Sequence, residues 1–390
     1  MFVSETRSFK RAAIVGEEAL GFKLSNNTLQ RVSLEAGLDL AQIRDDDDWN
    51  SVLTGEVAPP EVAIVEYDGG RIRTRATDCG PGVQLTGQGW NETKNAILVS
   101  AASSTSDHDP EPAPAACFLR PGHVAKLTEI AKNKEETAEH EPLIERPRKP
   151  KSQRRAKRVR PPHKPRRIVR TVLSSLRSTA DFGPQIAREA RRRRFGDAAR
   201  KAFVADGLAA NWTMQAEHFA DYTPILDFTH AVSYLFRAAR LCGRLDDAWD
   251  LYARWMTSVW RGGVDQVLAE LRAHQQRLGL PPDDAADDDP REQLRLIVGY
   301  LDHHRGRMRY DAYRRQGLPT TSAWMESAVK EINYRVKGTE MFWNNPDGAE
   351  AILQIRAAAL SDDGRLARFL AHRPGRATLR RSKPPLAQAA

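Results

Sequence analysis

The sequence predicts a mixed α/β fold: a five-stranded sheet whose chain is interrupted by an all-helical insertion, with a small helical region in front. Three observations predict it. Up to about residue 54 the apolar residues recur at helical spacing, and between residues 60 and 102 they give way to β-branched runs bounded by glycine. Past residue 230 the helical period returns in long stripes and holds to about Tyr313.

Composition sets the outer bounds. The chain has 390 residues, 41% hydrophobic and 28% charged, which excludes wholesale disorder and allows roughly two or three domains. Its 60 Lys and Arg against 51 Asp and Glu give a formal net charge of +9. That excess is local: residues 146–170 hold 13 Lys and Arg and no acid, so the remainder is slightly acidic. A concentrated basic run points to a polyanion, nucleic acid first. No apolar run approaches the roughly 18 residues of a membrane span, and the start lacks an unbroken secretory apolar region. The expectation is a cytoplasmic, nucleoid-associated protein with no membrane contact. Cys79, Cys117 and Cys242 are too few and scattered for a disulfide framework or a CxxC metal site.

Residues 1–57 read as a helical region. KRAAIVGEEALGFKL carries a helical stripe, Gly21 marks a turn, and Ser25 can cap NNTLQRVSLEAGLDL. The pair reads either as the remnant of a helix-turn-helix or as a plain helical hairpin. Asp45 to Asp48 then mark a solvated break.

Residues 58–138 form the first part of the sheet domain. EVAIVEYDGGRIRTRAT reads as strand, tight turn at Gly69-Gly70, and strand, with TKNAILVSAA as a third strand and a helix near Val124 to Glu136. Residues 139–167 are a basic linker, RPRKPKSQRRAKRVRPPHKPRR at its core, with five prolines and no apolar period. Residues 168–230 resume the sheet domain with expected helices at IVRTVLSSLRST and PQIAREARRRRF and expected strands at KAFVADG and YTPILDF.

Residues 231–317 are the insertion. Trp249, Tyr252, Trp255, Met256 and Val259 form one stripe, Val264, Val267, Leu268 and Leu271 a second, and Leu294, Ile297, Tyr300 and Leu301 a third. The acidic loop PPDDAADDDP separates two of these helices. Residues 318–372 return to the sheet domain with a helix at TTSAWMESAVKEIN, and residues 373–390 read as a basic disordered tail.

This order is compatible with an RNase H-like core. Asp68 is expected to close the first strand and Asp206 the fourth, each followed by a glycine that lets the backbone turn. Glu326 lies on the helix after the insertion. Three carboxylates from separate elements suit a pair of Mg²⁺ ions, because hard cations take oxygen ligands and keep positions for phosphate and water. Each acid also has a plainer reading: Asp68 as a turn residue, Glu326 as the i,i+4 partner of Lys330, Asp227 as a helix N-cap, and His230 as a helix-face histidine. Their shared order along the chain favours the catalytic reading.

Other chemistry is excluded or secondary. His303 and His304 are adjacent and leave a helix in different directions, and no HExxH, P-loop, GxSxG or Rossmann pattern is present. Trp249, Trp255 and Trp260 belong to the insertion core, and Trp324 anchors its helix. Trp212 and Trp343 are candidates for stacking on an unpaired base. Lys330, Arg335 and Lys337 are candidate phosphate contacts near the acids, with residues 146–170 and Arg191 to Arg194 tracking the DNA backbone.

YDGGRI at Tyr67, WNETK at Trp90, FVADG at Phe203, DFTH at Asp227, GLPTTSAWMES at Gly317, VKGTEMFW at Val336 and EAILQIRAA at Glu350 occur in order over about residues 60 to 370. Together they resemble the DDE transposases of bacterial insertion sequences, most closely the Kra-type family related to the Mutator and hAT branch. The resemblance implies that Asp68, Asp206 and Glu326 bind two Mg²⁺ ions, with Mn²⁺ as a substitute. It implies that Asp227 and His230, matching a (C/D)xxH signature, position DNA. The activity implied is cleavage of double-stranded DNA at element ends and strand transfer of the 3′-OH into target DNA, by a homodimer or higher assembly. Residues 1–57 are shorter than the end-binding region of that family. The alternative is a DNA-binding derivative that keeps the fold without catalysis.

Overall fold

The computed structural model describes residues 2–21, 23–45, 57–74, 90–136, 161–243, 247–337, 343 and 346–373. Three helices come first: α1 (Phe2–Glu5), α2 (Phe9–Leu20) and α3 (Asn26–Asp45). Ser8 caps α2 by accepting from the Arg11 amide at 3.1 Å, and Gly21 ends it at φ 73°, a left-handed position suited to glycine. These helices do not stand apart from the rest of the chain. Val3, Ala12, Ala36, Leu40 and Ile43 share a core with Ile352, Leu353 and Phe369 near the other end of the sequence.

The sheet is built from β1 (Val62–Arg73), β2 (Trp90–Ala102), β3 (Arg166–Ser175), β4 (Arg200–Ala205) and β5 (Thr223–Leu226), in the order β3-β2-β1-β4-β5. β1 pairs antiparallel with β2 and β2 with β3, whereas β1 with β4 and β4 with β5 are parallel. Between strands lie α4 (Pro121–Glu136), α5 (Thr179–Arg192) and α6 (Ala209–His218).

Two local expectations are corrected. Gly69-Gly70 is not a turn: β1 runs straight through it and stays paired with β2 out to Arg73↔Trp90. The glycines instead make room across the ladder, since a Cβ on Gly70 would sit 2.6 Å from the Thr93 hydroxyl. The segment IVRTVLSS is not a helix but most of β3, and it covers the free edge of β2 from Lys94↔Ser175 onward. Its apolar residues fit either period. Pairing with β2 decides, and from Arg170 to Ser175 every residue is buried on both faces.

Residues 231–317 hold most of α7 (Phe228–Cys242), then α8 (Ala248–Trp260), α9 (Val264–Leu278), α10 (Pro290–His304) and α11 (Tyr310–Arg315). Tyr252, Trp255, Met256, Val259, Val267, Leu271, Ile297 and Leu301 are buried in one core that continues into the sheet. The chain then returns as α12 (Ala323–Val336), α13 (Pro346–Leu360) and α14 (Arg365–His372). Helix α3 crosses α13 closely enough that a Cβ on Gly37 would meet the Ala351 carbonyl oxygen at 2.1 Å. No helix among the described residues is long and apolar enough to cross a membrane. Residues 139–160 of the expected linker and 374–390 of the expected tail lie outside the described residues.

Candidate active site

The parallel pairing of β1 with β4 positions the first two acids. Its register runs to Glu66↔Val204. Two residues beyond that last pair stand Asp68, inside β1, and Asp206, immediately past β4. Both side chains are half-buried. The neighbouring Tyr67 hydroxyl has its pKa pushed up to about 12 by burial, a hydrogen bond with Thr179 opposes this, and the Glu92, Asp206 and Asp68 charges add to the rise in that order.

Asp206 is oriented by its own turn. Its Oδ1 accepts the Leu208 amide at 3.0 Å and Asn211 Nδ2 at 2.6 Å, which ties the carboxylate to the start of α6. Gly207 serves close packing here: a Cβ would lie 2.2 Å from the Tyr300 ring, so α10 of the insertion presses on the residue after Asp206.

The third acid arrives on α12. The Met325 amide, one residue before Glu326, donates to Glu66 Oε2 at 2.7 Å, binding the first turn of α12 to β1. Glu326 itself is exposed, and its Oε2 lies 4.0 Å from Lys330 Nζ, the i,i+4 arrangement. Among the described residues, no group of three or more His, Cys, Asp or Glu side chains is gathered closely enough to hold a metal ion. The donor chemistry of Asp68, Asp206 and Glu326 is nevertheless all carboxylate oxygen, which suits a hard divalent cation.

Glu66 is the acid that sequence reasoning passed over. It is 0% exposed, and its Oε1 has no hydrogen-bond partner. Burial holds its carboxyl well above the usual carboxylate range, the Met325 amide opposes this, and the neighbouring Asp227 and Glu326 charges reinforce the rise. The available signal was a lone acid inside the apolar run VAIVEY.

Asp227 and His230 come together as the spacing suggests. Asp227 is the N-cap of α7, only 1% exposed, with Oδ1 accepting the Thr229 amide at 3.0 Å. Its Oδ2 accepts from Thr229 Oγ1 at 2.6 Å and Ser322 Oγ at 2.8 Å, and lies 3.3 Å from His230 Nδ1. Burial alone would raise its pKa, but the hydrogen bond and charge of His230, with the Thr229 hydrogen bonds, bring it down to about 2. Asp227 is thus buried, and His230 is the more exposed member of the pair.

Other expected DNA contacts are occupied inside the fold. Trp212 is 5% exposed, packed edge-on to Phe203 and under the Arg307 guanidinium at 4.4 Å. Arg335 is 2% exposed and donates to the Val3 carbonyl at 2.8 Å, so it anchors the N-terminal helices. The Trp343 amide donates to Arg73 O at 2.9 Å and its indole N–H to Val336 O at 3.0 Å. Lys330 is exposed, and Lys337 Nζ lies 5.5 Å over Trp90, which Arg73 flanks at 5.4 Å.

The basic clusters divide in the same way. Residues 146–160 lie outside the described residues. Of the remainder, Lys164 pairs with Glu111 at 2.7 Å, Arg167 with Asp362 at 3.3 Å, and buried Arg170 donates to Leu360 O at 2.7 Å. Buried Arg192 donates to Ile43 O, and buried Arg193 to Thr171 and Ser100, so this pair holds the fold together rather than tracking phosphate. No protein-family model matches the chain, and no curated protein matches it.

Proposed function

We propose that the protein is a Mg²⁺-dependent DNA transposase with an RNase H-like core, cleaving DNA at element ends and transferring the 3′-OH strand into target DNA. One observation supports the reading: Asp68 and Asp206 each lie two residues beyond Glu66↔Val204, the last pair of the parallel strands β1 and β4, at the middle of a sheet ordered β3-β2-β1-β4-β5. Two carboxylates beyond the ends of one parallel pairing, with a third on a helix tethered to β1, would supply oxygen donors for a phosphoryl transfer that needs no nucleophilic side chain.

Asp68, Asp206 and Glu326 would hold the metal, Mg²⁺ or Mn²⁺, which when bound activates the attacking oxygen and stabilises the leaving one. The residues of the chain do the rest. Asn211 and the Leu208 amide keep Asp206 from rotating away. His230, held by buried Asp227, presents an imidazole beside the substrate phosphate, and Lys330 stands by Glu326 as a mobile counter-charge. Double-stranded DNA is the substrate, a second copy of the chain the expected partner, and the nucleoid the expected location. The cations of residues 146–160 supply salt-sensitive, sequence-blind affinity.

The test is strand cleavage, with Mg²⁺, of a duplex carrying the DNA that flanks the reading frame. Wild type should cleave, and Asp206→Asn should lose cleavage while keeping DNA affinity. Equal cleavage by both proteins removes the reading. Salt-sensitive binding with no cleavage by wild type makes the chain a DNA-binding protein instead.

A further inference from the structure

Glu66 raises a physical question that the three acids do not. A carboxyl with 0% exposure and one oxygen lacking any hydrogen-bond partner costs stability, and an apolar side chain in β1 would avoid that cost. What Glu66 provides lies in the destination of its one bond. Met325 is the third residue of α12, so its amide is one of the four at a helix start that have no partner within the helix. Ser322, at the N-cap position, makes no side-chain cap, and its hydroxyl is directed to Asp227 instead. Glu66 therefore supplies the missing cap from a position 259 residues away in sequence.

The placement is specific. Glu66 and Asp68 are two apart on one strand and so share a face of β1, and Met325 and Glu326 are neighbours on α12. One hydrogen bond thus joins the strand of the first acid to the helix turn of the third. We propose that Glu66 is a positioning residue, a cap lent by β1 that fixes the first turn of α12 and so holds Glu326 at the level of Asp68. This rests on the reading of Asp68 and Glu326 as reaction acids. What matters in Glu66 is the acceptor oxygen and its reach. A glutamine keeps both; a methionine keeps the length and removes the acceptor.

The test compares full-length wild type, Glu66→Gln and Glu66→Met. Methionine removes the cost of burying an acid and also leaves the Met325 amide uncapped, so the two offset and thermal stability should change little, which separates a positioning effect from general damage. In the metal-free proteins, amide exchange at residues 323–327 should match wild type in Glu66→Gln and be about tenfold or more faster in Glu66→Met. With DNA, the Mg²⁺ concentration for half-maximal cleavage should stay near wild type in Glu66→Gln and rise about 10- to 100-fold in Glu66→Met, the range typical of groups that orient metal ligands. Wild-type exchange in Glu66→Met overturns the proposal. So does a Glu66→Gln protein as impaired as Glu66→Met, because the carboxylate itself would then be in use. A Glu66→Met chain that fails to fold also overturns it, since one helix cap does not support a whole domain. If Asp206→Asn cleaves like wild type the transposase reading fails, and the exchange comparison still decides whether Glu66 fixes α12.

Discussion

Ser322 donates its hydroxyl to Asp227 at 2.8 Å, although the two residues are 95 positions apart and the entire helical insertion lies between them. Beside this bond the Phe228 amide donates to the Thr320 carbonyl at 3.0 Å. The chain leaves the sheet domain and returns to it through one laced point, and the lace holds the start of α7 against the start of α12. Anything that loosens Asp227 should be felt by His230 and Glu326 together.

Asp227 should therefore carry an acid-sensitive part of the stability. Its pKa is about 2 in the fold against an ordinary 3.8, so the carboxylate stabilises the fold fully above about pH 4 and loses this effect as pH falls through about 2. A shift of that size corresponds to about 2 kcal/mol. Urea unfolding near pH 7 and near pH 3 should show about half of that difference, roughly 1 kcal/mol, from Asp227 in wild type and a correspondingly smaller total change in Asp227→Asn. An unchanged pH difference would contradict the assignment.

Gly207 and Tyr300 should be coupled. A methyl group at Gly207 meets the Tyr300 ring, and that ring cannot withdraw easily because it is stacked on Tyr234 at 3.6 Å. Gly207→Ala should cost about 1–3 kcal/mol by overpacking and displace Asp206. Adding Tyr300→Ala should recover part of that cost, and a thermal double-mutant cycle with no coupling would show that the contact is not felt.

Arg335 should prove to be an anchor and not a phosphate ligand. Burial lowers its pKa to about 10, and its guanidinium reaches Val3 O and stacks over Phe9. Arg335→Met should expose α1 and α2 to limited proteolysis. DNA titrations at several salt concentrations should keep the wild-type slope, whereas losing a true phosphate contact lowers the slope by about one.

Asp363 should matter far more than Asp197. Asp363 accepts from Thr171 at 3.0 Å and pairs with buried Arg193 and Arg365 at 3.3 and 2.7 Å, so Asp363→Ala takes the ion partner from buried Arg193, leaves Arg365 with Glu189, and should cost about 3–5 kcal/mol. The Arg194–Asp197 pair, at 2.9 Å, is more than half exposed on both sides, and Asp197→Ala should cost under about 1 kcal/mol. Urea unfolding of the two variants distinguishes them directly.

Local chemistry was legible in the sequence wherever the causes are local. The stripe from Tyr252 to Val259 buries itself in any helix of that composition, Asp227 caps the helix it precedes, and Glu326 meets Lys330 one turn on. The apolar runs around Asp68 and Asp206 could be read as strands for the same reason, since β-branched residues disfavour the helix at those positions.

The partners, and therefore the roles, were decided only by tertiary structure. Gly69-Gly70 carries the same turn propensity whether or not β2 lies alongside, and pairing with β2 draws it straight. IVRTVLSS has apolar residues for either period until the open edge of β2 satisfies its amides. Arg193 and Arg335 look like any surface arginine in a list of residues, because burial depends on which carboxylates and carbonyls distant segments bring to them. Glu66 is the clearest case. The sequence determines an acid in an apolar strand, but the helix it caps begins more than two hundred residues later, and only the closure of α12 onto β1 turns a buried acid into a tether.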